Sequence, residues 1–240
     1  EYDQGWRVPE IFTTSVTGIV TARDGLSIHY SKPELNDAIK AFCDPGVSDQ
    51  EISHRFGPKS NYQWKLPAVR KEMAGEAVKA NLIQLITYQP FDIRYIYNDK
   101  RIVFRPRAEI MRNMEHENTA IITNRSQEIP GVWTNILASD SLVTHQALSL
   151  KEVNYLYPLY LYFEEGSRTE NFSPAFRTFL DSRYAHHYSP EEILGYIYAV
   201  LHAPTYRKRY AEFLRIDFPR VPFPEKAGAL TPGRVSSCFA

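Results

Sequence analysis

The sequence predicts an α+β fold with a mixed or antiparallel β core, flanking helices and a C-terminal helical hairpin. Between residues 82 and 163 the apolar residues mostly recur at every second position, which is the period of a half-buried strand. Near residue 173 the apolar period changes to about 3.6, which is that of an amphipathic helix. Helix start signals, in which a serine precedes a glutamate by three residues, occur at Ser31, Ser48 and Ser189.

The N-terminal third combines extended chain with helices. Residues 1–30 are rich in Thr, Val and Ile and are interrupted by glycines, so we predict extended structure there. Helices are predicted after Ser31 and Ser48, and a third is predicted over 67–81, beginning near Pro67. The polar stretch 57–64 is predicted to be a loop.

The central region supplies the strands, which are predicted at LIQLITY, TAIITNR, VWTNILAS and YLYPLYLYF. A hairpin is predicted between 93–97 and 101–105, because apolar residues alternate on both sides of an Asn98-Asp99-Lys100 turn. Its basic face either is solvated or contacts phosphates or bases, since a two-stranded ribbon fits the major groove. Taken alone, the stretch favours a solvated face, because charge runs usually face water.

The C-terminal region is predicted to be helical. Ser173 and Ser189 are each followed by proline, as at a capped helix start, and a helical hairpin is predicted at 189–215. The sequence therefore divides into three predicted parts. They are a mainly β region with inserted helices at 1–172, a helical region packed on it at 173–224, and a loosely ordered tail at 225–240.

Composition narrows the class of protein. The 240 residues contain 28 basic and 28 acidic side chains, which argues against a freestanding nucleic-acid binder dominated by phosphate attraction but permits local basic patches. Cys43 and Cys238 form neither a disulfide framework nor a metal motif. No apolar signal segment or membrane-length run occurs, so we expect a cytoplasmic protein without membrane contact. The chain begins at Glu1 without Met, and we expect it to be part of a longer protein.

Several catalytic motifs are missing. The sequence contains no Gly-x-Gly, Gly-Lys-Ser/Thr, Pro-Pro or Gly-x-Ser-x-Gly, and no acidic residue stands two positions before a lysine. These patterns serve cofactor binding, ATP binding, amino methylation, ester hydrolysis and metal-dependent DNA cleavage. We therefore expect no catalytic residue, no cofactor and no metal in this chain.

Two groups of titratable residues were considered as sites. His186, His187 and His202 lack an acidic or cysteine partner at ligand spacing, which favours surface or helix-end histidines over a metal site. Asp92 and Glu109 flank the basic stretch as a possible acid pair, but pairing of Asp92 with a nearby arginine or a turn is the more common arrangement.

A run of tyrosines suggests a third possibility. Tyr155, Tyr157, Tyr160 and Tyr162 have the composition of a base-stacking platform. Pro158 shifts the register, so a core or edge strand with hydrogen-bonded hydroxyl groups is favoured.

Four phrases in this order resemble a known family: TGIVTARDGL, YQPFDIRYIYNDKRIVFRPRAEIMRNM, YPLYLY and PEEILGYIYAVLHAPTYRKRYAEFLRIDFPRVPFP. They are similar to the C-terminal specificity region of bacterial type ISP restriction-modification enzymes and of related type IIG-like adenine methyltransferases. The resemblance covers roughly residues 5–224, nearly a whole domain.

The resemblance implies a target recognition domain that reads double-stranded DNA and is not itself an enzyme. In such proteins an upstream domain of the same polypeptide binds S-adenosylmethionine and methylates adenine, and a full type ISP enzyme also uses ATP and Mg²⁺. The absence of catalytic motifs from this chain agrees with that arrangement.

Charge and side-chain type select the candidate DNA contacts. Residues 94–112 contain six basic and two acidic residues, so that we expect this stretch mainly to grip phosphates. The 57–65 loop either reads base edges or is a plain polar connection, and it is the better candidate for reading bases. Arg94 is expected to be structural or phosphate-binding. The predicted contacts are Arg23, Lys59, Asn61, Tyr62, Gln63, Lys65, Arg94, Arg101, Arg105 and Arg107.

Two other classes remain open from the sequence. One is a small metal-dependent nuclease-like enzyme that uses Asp92, Glu109 and neighbouring carboxylates. The other is a protein-interaction domain without DNA binding.

Overall fold

The fold is described from a computed structural model over residues 2–225. This part of the chain forms two compact units. The first unit contains 2–18, 109–140 and 145–225, and the second unit contains 19–108 and 141–144.

The strands are short and are distributed over both units. In chain order they are β1 (Trp6–Arg7), β2 (Val16–Thr17), β3 (Ile28–His29), β4 (Ile83–Gln89), β5 (Asp92–Tyr97), β6 (Ala120–Asn124), β7 (Ile136–Ser139), β8 (Leu142–Val143), β9 (Asn154–Pro158), β10 (Tyr160–Tyr162), β11 (Arg168–Glu170) and β12 (Arg220–Val221).

The helices lie mostly between strands and at the C-terminal side. In chain order they are α1 (Val8–Ile11), α2 (Asp24–Ser27), α3 (Lys32–Cys43), α4 (Asp49–Phe56), α5 (Leu66–Met73), α6 (Ala108–Met111), α7 (Pro174–Arg183), α8 (Pro190–His202), α9 (Pro204–Arg209) and α10 (Ala211–Ile216). Single 3₁₀ turns occur at Tyr2–Gln4, Ala80–Leu82 and Arg112–Glu115.

The first unit contains an antiparallel sheet with strand order β2-β9-β6-β7. Its core is rich in aromatic side chains, and Tyr157, Phe176, Tyr196 and Tyr206 are fully buried within it. The strands β1 and β12 form a separate antiparallel pair, as do β10 and β11. Burial of such large rings contributes most of the favourable free energy of a core of this kind.

The second unit contains a mixed sheet with strand order β3-β5-β4-β8. The pairs β3–β5 and β4–β5 are antiparallel, and β8 is parallel to β4. A cluster that includes Leu35, Ile39, Phe42 and Tyr97 forms its core. Gly25 in α2 faces the end of α4, where an added Cβ would lie 2.5 Å from the Phe56 carbonyl oxygen, so only glycine permits this approach.

The α+β class with an antiparallel and mixed β core is confirmed, and so are the predicted helix starts. The hydroxyl groups of Ser31, Ser48, Ser173 and Ser189 each accept a hydrogen bond from the backbone N–H three residues later, at 3.1 to 3.4 Å. The reciprocal glutamate bond is made at Ser31 and Ser189. At Ser48 the corresponding glutamate pairs with Arg55 instead.

The predicted hairpin between 93–97 and 101–105 is wrong. β5 pairs with β4, and the connecting turn lies at Pro90 and Phe91. After β5 the Asp99 carbonyl oxygen accepts from the N–H groups of Ile102 and Val103, at 2.9 and 2.8 Å. The chain therefore coils tightly, and both apolar residues are buried, whereas a strand would alternate them between two faces.

Three further elements differ from their predicted extent. The helix predicted over 67–81 ends at Met73, before Gly75, which has a φ of 73°. Within 1–30 the extended chain is interrupted by the helices α1 and α2. The second arm of the C-terminal helical hairpin is divided into α9 and α10 at Tyr210, whose backbone is not helical.

The compact units interleave along the chain, whereas the predicted parts 1–172 and 173–224 follow one another. The chain leaves the first unit after residue 18 and returns to it at residue 109. The predicted tail at 225–240 lies, apart from Glu225, outside the described residues.

Candidate nucleic-acid interface

Positive charge is concentrated in the second unit. Its sequence contains 14 basic and 10 acidic residues, a net charge of plus four, whereas the rest of the chain contains 14 basic and 18 acidic residues. All ten predicted DNA contacts belong to this unit. A neutral chain thus contains one unit with the charge that phosphates attract.

The loop 57–65 has a backbone held by local hydrogen bonds. Gly57, with a φ of 69°, ends α4 by donating its N–H to the Ser53 carbonyl oxygen at 3.0 Å. The Asn61 side-chain oxygen accepts from the N–H groups of Gln63 and Trp64, both at 2.9 Å. This is an Asx turn, in which a side chain replaces a backbone acceptor.

Trp64 anchors the loop to the second unit. Its ring is buried, and its indole N–H donates to the Arg101 carbonyl oxygen at 2.7 Å. The Arg23 guanidinium lies over the same ring, 4.0 Å from its centroid. The loop backbone is therefore fixed from below as well as from within.

The remaining loop side chains point into solvent. Lys59, Asn61, Gln63 and Lys65 are exposed, and Tyr62 is 87% exposed. Over residues 2–225, neither lysine lies within ion-pair distance of a carboxylate. A fixed backbone that presents an amide, a ring and two cations is suited to reading base edges and holding phosphates.

Arg94 is enclosed by its neighbours. Its Nε donates to both Asp92 carboxylate oxygens at 3.0 and 3.2 Å, and its Nη2 donates to Oδ2 at 2.6 Å. The guanidinium lies between the rings of Tyr30 and Tyr88, at 4.3 and 3.9 Å from their centroids. The hydrogen bonds from Arg94 lower the pKa of Asp92. The pairing expected for Asp92 is therefore present.

Arg101 is hydrogen-bonded to two carboxylates, and its Nη1 also lies 3.8 Å from a Glu72 oxygen. Its Nη1 and Nη2 donate to Glu76 at 2.6 and 3.0 Å, and its Nη2 also donates to Asp99 at 2.6 Å. The Arg101 side chain is 16% exposed and that of Asp99 is 6% exposed. Hydrogen bonds from Arg101, and then from Lys79, lower the pKa of Glu76 from 4.5 to about 2.

Arg23 is also inside the unit. Its Nη1 donates to the Ile102 carbonyl oxygen, and its buried Nε meets no hydrogen-bond partner among the described residues. Burial lowers the pKa of this guanidinium. Arg23 thus connects the coil after β5 to Trp64.

Arg105 and Arg107 lie at the C-terminal end of the coil, which comprises residues 99–107. Arg105 is exposed, its guanidinium lies 4.9 Å from the Phe104 ring centroid, and no described carboxylate is within ion-pair distance. Arg107 is half-buried with a φ of 54°, and its Nε is buried without a partner among residues 2–225. Of these two arginines, Arg105 is the one that presents its charge to solvent.

The segment 20–24 joins these parts within the second unit. Val20 and Arg105 exchange both backbone hydrogen bonds, at 3.1 and 2.9 Å. Asp24 accepts from the hydroxyl group of Tyr88 at 2.9 Å, next to the Arg94 site. The Arg23 guanidinium lies against the Trp64 ring of the loop. The loop, the coil and the β4–β5 hairpin therefore all contact the segment 20–24.

Comparison with protein families decides what this arrangement belongs to. The family described as the Type ISP C-terminal specificity domain matches residues 10–230. The chain belongs to this family. A comparison with curated proteins gave no match.

Three solved structures share the fold. The cryoEM structure of the DrdV-DNA complex matches with a TM-score of 0.68 and 28% identity, over 95% of this chain and 22% of that one. A nuclease-deletion mutant of the Type ISP restriction-modification enzyme LlaGI, in complex with a DNA substrate mimic, matches with a TM-score of 0.63 and 21% identity. The match covers 98% of this chain and 22% of that one. The ATP-dependent Type ISP restriction-modification enzyme LlaBIII bound to DNA matches with a TM-score of 0.72 and 16% identity. The match covers 100% of this chain and 16% of that one. The chain thus spans between 16% and 22% of the length of these larger proteins.

The histidines considered as a metal site have separate partners. His187 Nδ1 lies 2.9 Å from an Asp181 oxygen, and His186 Nε2 lies 3.5 Å from a Glu192 oxygen. His202 Nδ1 lies 3.1 Å from the Arg207 guanidinium. Within residues 2–225, no three His, Cys, Asp or Glu side chains are grouped so that they could hold a metal ion.

No helix within residues 2–225 has the length and apolar character needed to cross a membrane.

The tyrosine run forms strands of the first unit, as favoured. Tyr157 is buried, Tyr160 donates to Glu191 at 2.5 Å, and Tyr162 donates to the Glu117 carbonyl oxygen at 2.6 Å. The burial of Tyr157 and the hydroxyl bonds of Tyr160 and Tyr162 are those of core and strand residues.

Sequence reasoning missed two residues that shape the interface. Glu76 engages Arg101 from 25 positions away, and no local pattern marks such a pair. Phe91 occupies the tip of the β4–β5 hairpin, which the preceding proline could have indicated as a turn.

Proposed function

We propose that this chain is the sequence-specific double-stranded DNA recognition module of a restriction-modification adenine-N6 methyltransferase or endonuclease, and that it is not catalytic by itself. The observation that supports this most directly is the 57–65 loop, whose backbone is pinned while its amide, aromatic and cationic side chains are exposed. Membership of a specificity-domain family gives the same direction.

Within the second unit, we assign the contacts by what each side chain is free to do. Gln63 and Asn61 are assigned to base edges, since an amide matches adenine, and Tyr62 is assigned to stacking. Lys59, Lys65 and Arg105 are assigned to phosphates, because their charges are exposed and without a described carboxylate partner.

Three predicted contacts receive structural roles in this proposal. Arg23, Arg94 and Arg101 have guanidinium groups that already contact rings, carbonyl oxygens or carboxylates. Moving any of them to a phosphate would leave a buried or half-buried partner unpaired, which costs free energy. Arg107, half-buried, is assigned to the support of the coil.

The longer protein is part of the proposal. We expect an upstream domain of the same polypeptide to bind S-adenosylmethionine and to methylate adenine. For a full type ISP enzyme we also expect ATP and Mg²⁺ to be used, in the cytoplasm.

The test is a titration of the 240-residue chain with short randomised duplexes over a range of salt concentrations. If three cations contact phosphates, the logarithm of the association constant should fall with the logarithm of salt concentration with a slope of about −3. A variant with Lys59, Lys65 and Arg105 changed to Ala should lose most of this slope.

The matched control removes equal charge from the first unit, by changing Arg125, Lys151 and Lys208 to Ala. It should keep the wild-type slope. Binding that is independent of salt, or equally weakened by both triple variants, would contradict the proposal. Cleavage of the duplex on addition of Mg²⁺ would instead support the nuclease-like alternative.

A further inference from the structure

The tip of the β4–β5 hairpin carries an aromatic ring without packing. Phe91 is 96% exposed, which is more than any other large apolar side chain of the described residues. It stands between Pro90 and the first residue of β5. An exposed phenylalanine gains none of the burial that normally stabilises this residue.

The backbone at Phe91 is also unfavourable for its side chain. Its φ of 64° lies in the left-handed region, which glycine and asparagine adopt readily and bulky residues rarely do. The fold therefore carries two costs at this position, exposure and strain. Such outliers, when held in place by their surroundings, are found preferentially at functional sites.

Specific contacts flank the tip on both strands of the hairpin. The β4–β5 pairing has an irregular register between Thr87 and Gln89, immediately before the turn. On the other side, Asp92 binds Arg94, which lies between Tyr30 and Tyr88. The ring of Phe91 is thus displayed at the tip of a hairpin whose base carries the Asp92–Arg94 ion pair and its two flanking rings.

We propose that Phe91 is a wedge that inserts its ring between two neighbouring base pairs of a bound duplex. This inference rests on the proposed function. Inserted apolar side chains of this type unstack a base step and recover the cost by stacking on the bases. The specificity domain would then read its target partly through how easily one step opens, in addition to contacts at base edges.

The second unit supplies the reason to choose DNA as the occupant. It has a net charge of plus four, and its segment 20–24 contacts the base of this hairpin as well as the 57–65 loop and Arg105. A single protruding ring flanked by Pro90 and Asp92 matches a gap between stacked bases, which have apolar faces and an open edge.

The decisive variant is Phe91→Asn, because asparagine relieves the backbone strain and removes the ring. We expect a higher thermal unfolding midpoint together with DNA binding weakened by about 5- to 150-fold, the range of one stacked base. The salt slope should not change, since no cation is lost. Phe91→Trp, which keeps an aromatic ring at this position, should bind DNA with the wild-type affinity.

A second readout reports the insertion itself. Duplexes of the sequence that wild type selects from the randomised pool carry a fluorescent adenine analogue, whose emission rises on unstacking, at successive positions. Wild type should raise the emission at one position, and Phe91→Asn should not. The control Ile93→Ser removes an apolar side chain that is 55% exposed on the same hairpin, and it should preserve both affinity and emission.

The outcomes separate this inference from the proposed function. If wild type binds with the expected salt slope but Phe91→Asn binds equally well and gives the same emission, the wedge is refuted and the recognition role stands. If Ile93→Ser and Phe91→Asn weaken binding alike without any emission change, the hairpin docks by its face and the wedge is again refuted. If wild type shows no salt-dependent binding, both proposals fail.

Discussion

The 57–65 loop and the 99–107 coil adjoin each other within the second unit, yet they present polar groups in opposite ways. In the loop, hydrogen bonds hold the backbone and leave the side chains of Lys59, Gln63 and Lys65 exposed. In the coil, the side chain of Arg101 is itself the hydrogen-bonding element, and carboxylates occupy its donors. Trp64 joins the two by donating to the Arg101 carbonyl oxygen.

The formal charge of a segment is therefore not the charge that it offers to a ligand. Residues 94–112 contain six basic and two acidic residues, but Arg94 and Arg101 are paired with Asp92, Asp99 and the more distant Glu76. Arg105 is exposed. The segment thus combines structural and available cations.

Substitution of Arg101 tests whether this arginine is structural, and it should change the free energy of unfolding more than any other variant proposed here. Arg101→Ala should lower the free energy of unfolding by about 3 kcal/mol, because the buried Asp99 carboxylate would lose its charged partner. Arg105→Ala, from the same coil, should change it by less than about 0.5 kcal/mol. Denaturant unfolding measures both, and equal losses would remove the distinction between the two arginines.

The next effect concerns the loop. Gln63→Ala should relax one position of the DNA target by about 1–3 kcal/mol, because it removes an amide that pairs with a base edge but retains the Asn61 turn. Competition between duplexes that differ at single positions measures this loss. Unchanged preference at every position would mean that Gln63 is only a solvated side chain.

Asn61 requires a pair of variants, since its oxygen holds the turn. Asn61→Ala should cost about 1 kcal/mol of stability through the lost turn bonds, whereas Asn61→Asp keeps the acceptor and should cost less. If Asn61 also reads a base with its amide N–H, both variants relax one target position. A change of preference in Asn61→Ala alone would assign the effect to loop geometry.

A smaller effect separates phosphate contact from base contact. Arg105→Ala should weaken binding to all duplexes alike and reduce the magnitude of the salt slope by about one unit. Arg101→Ala, measured under conditions where it remains folded, should leave the slope unchanged. A lower slope in Arg101→Ala would restore the phosphate role that the sequence predicts for it.

The smallest effect is the acid dependence of the coil. The pKa of Glu76 is lowered from 4.5 to about 2 by Arg101 and Lys79, so the stability it contributes is complete above pH 4.5 and is lost as the pH falls towards 2. Glu76→Gln should therefore show a flatter decline of the denaturant midpoint than wild type in this range. Parallel declines would show that Glu76 does not contribute to the pH dependence.

Local signals in the sequence predicted much of the fold. The serines at 31, 48, 173 and 189 cap helices because capping depends on residues within one turn. The 57–65 loop and the pairing of Asp92 with Arg94 were also predictable, since their partners lie close in sequence.

Longer-range contacts account for the failures. The sequence could not show that Asp99 would be buried and bound to Arg101, which turns the predicted strand at 101–105 into a coil. It also could not show that Glu76, which precedes β4 in the chain, would accept hydrogen bonds from the same guanidinium. Base-edge roles within the loop stay predictions, because they depend on a ligand.

The hydrogen bonds between Val20 and Arg105 bring together the two ends of the segment 19–108, which forms most of the second unit. They join the chain close to the points at which it enters and leaves residues 19–108, so an exchange of this insert between relatives would begin and end at neighbouring positions and add little closure entropy. The host would still have to supply β8, whose residues 142 and 143 align in parallel with β4. Apart from this strand, the second unit is thus one continuous stretch of chain whose two ends lie side by side.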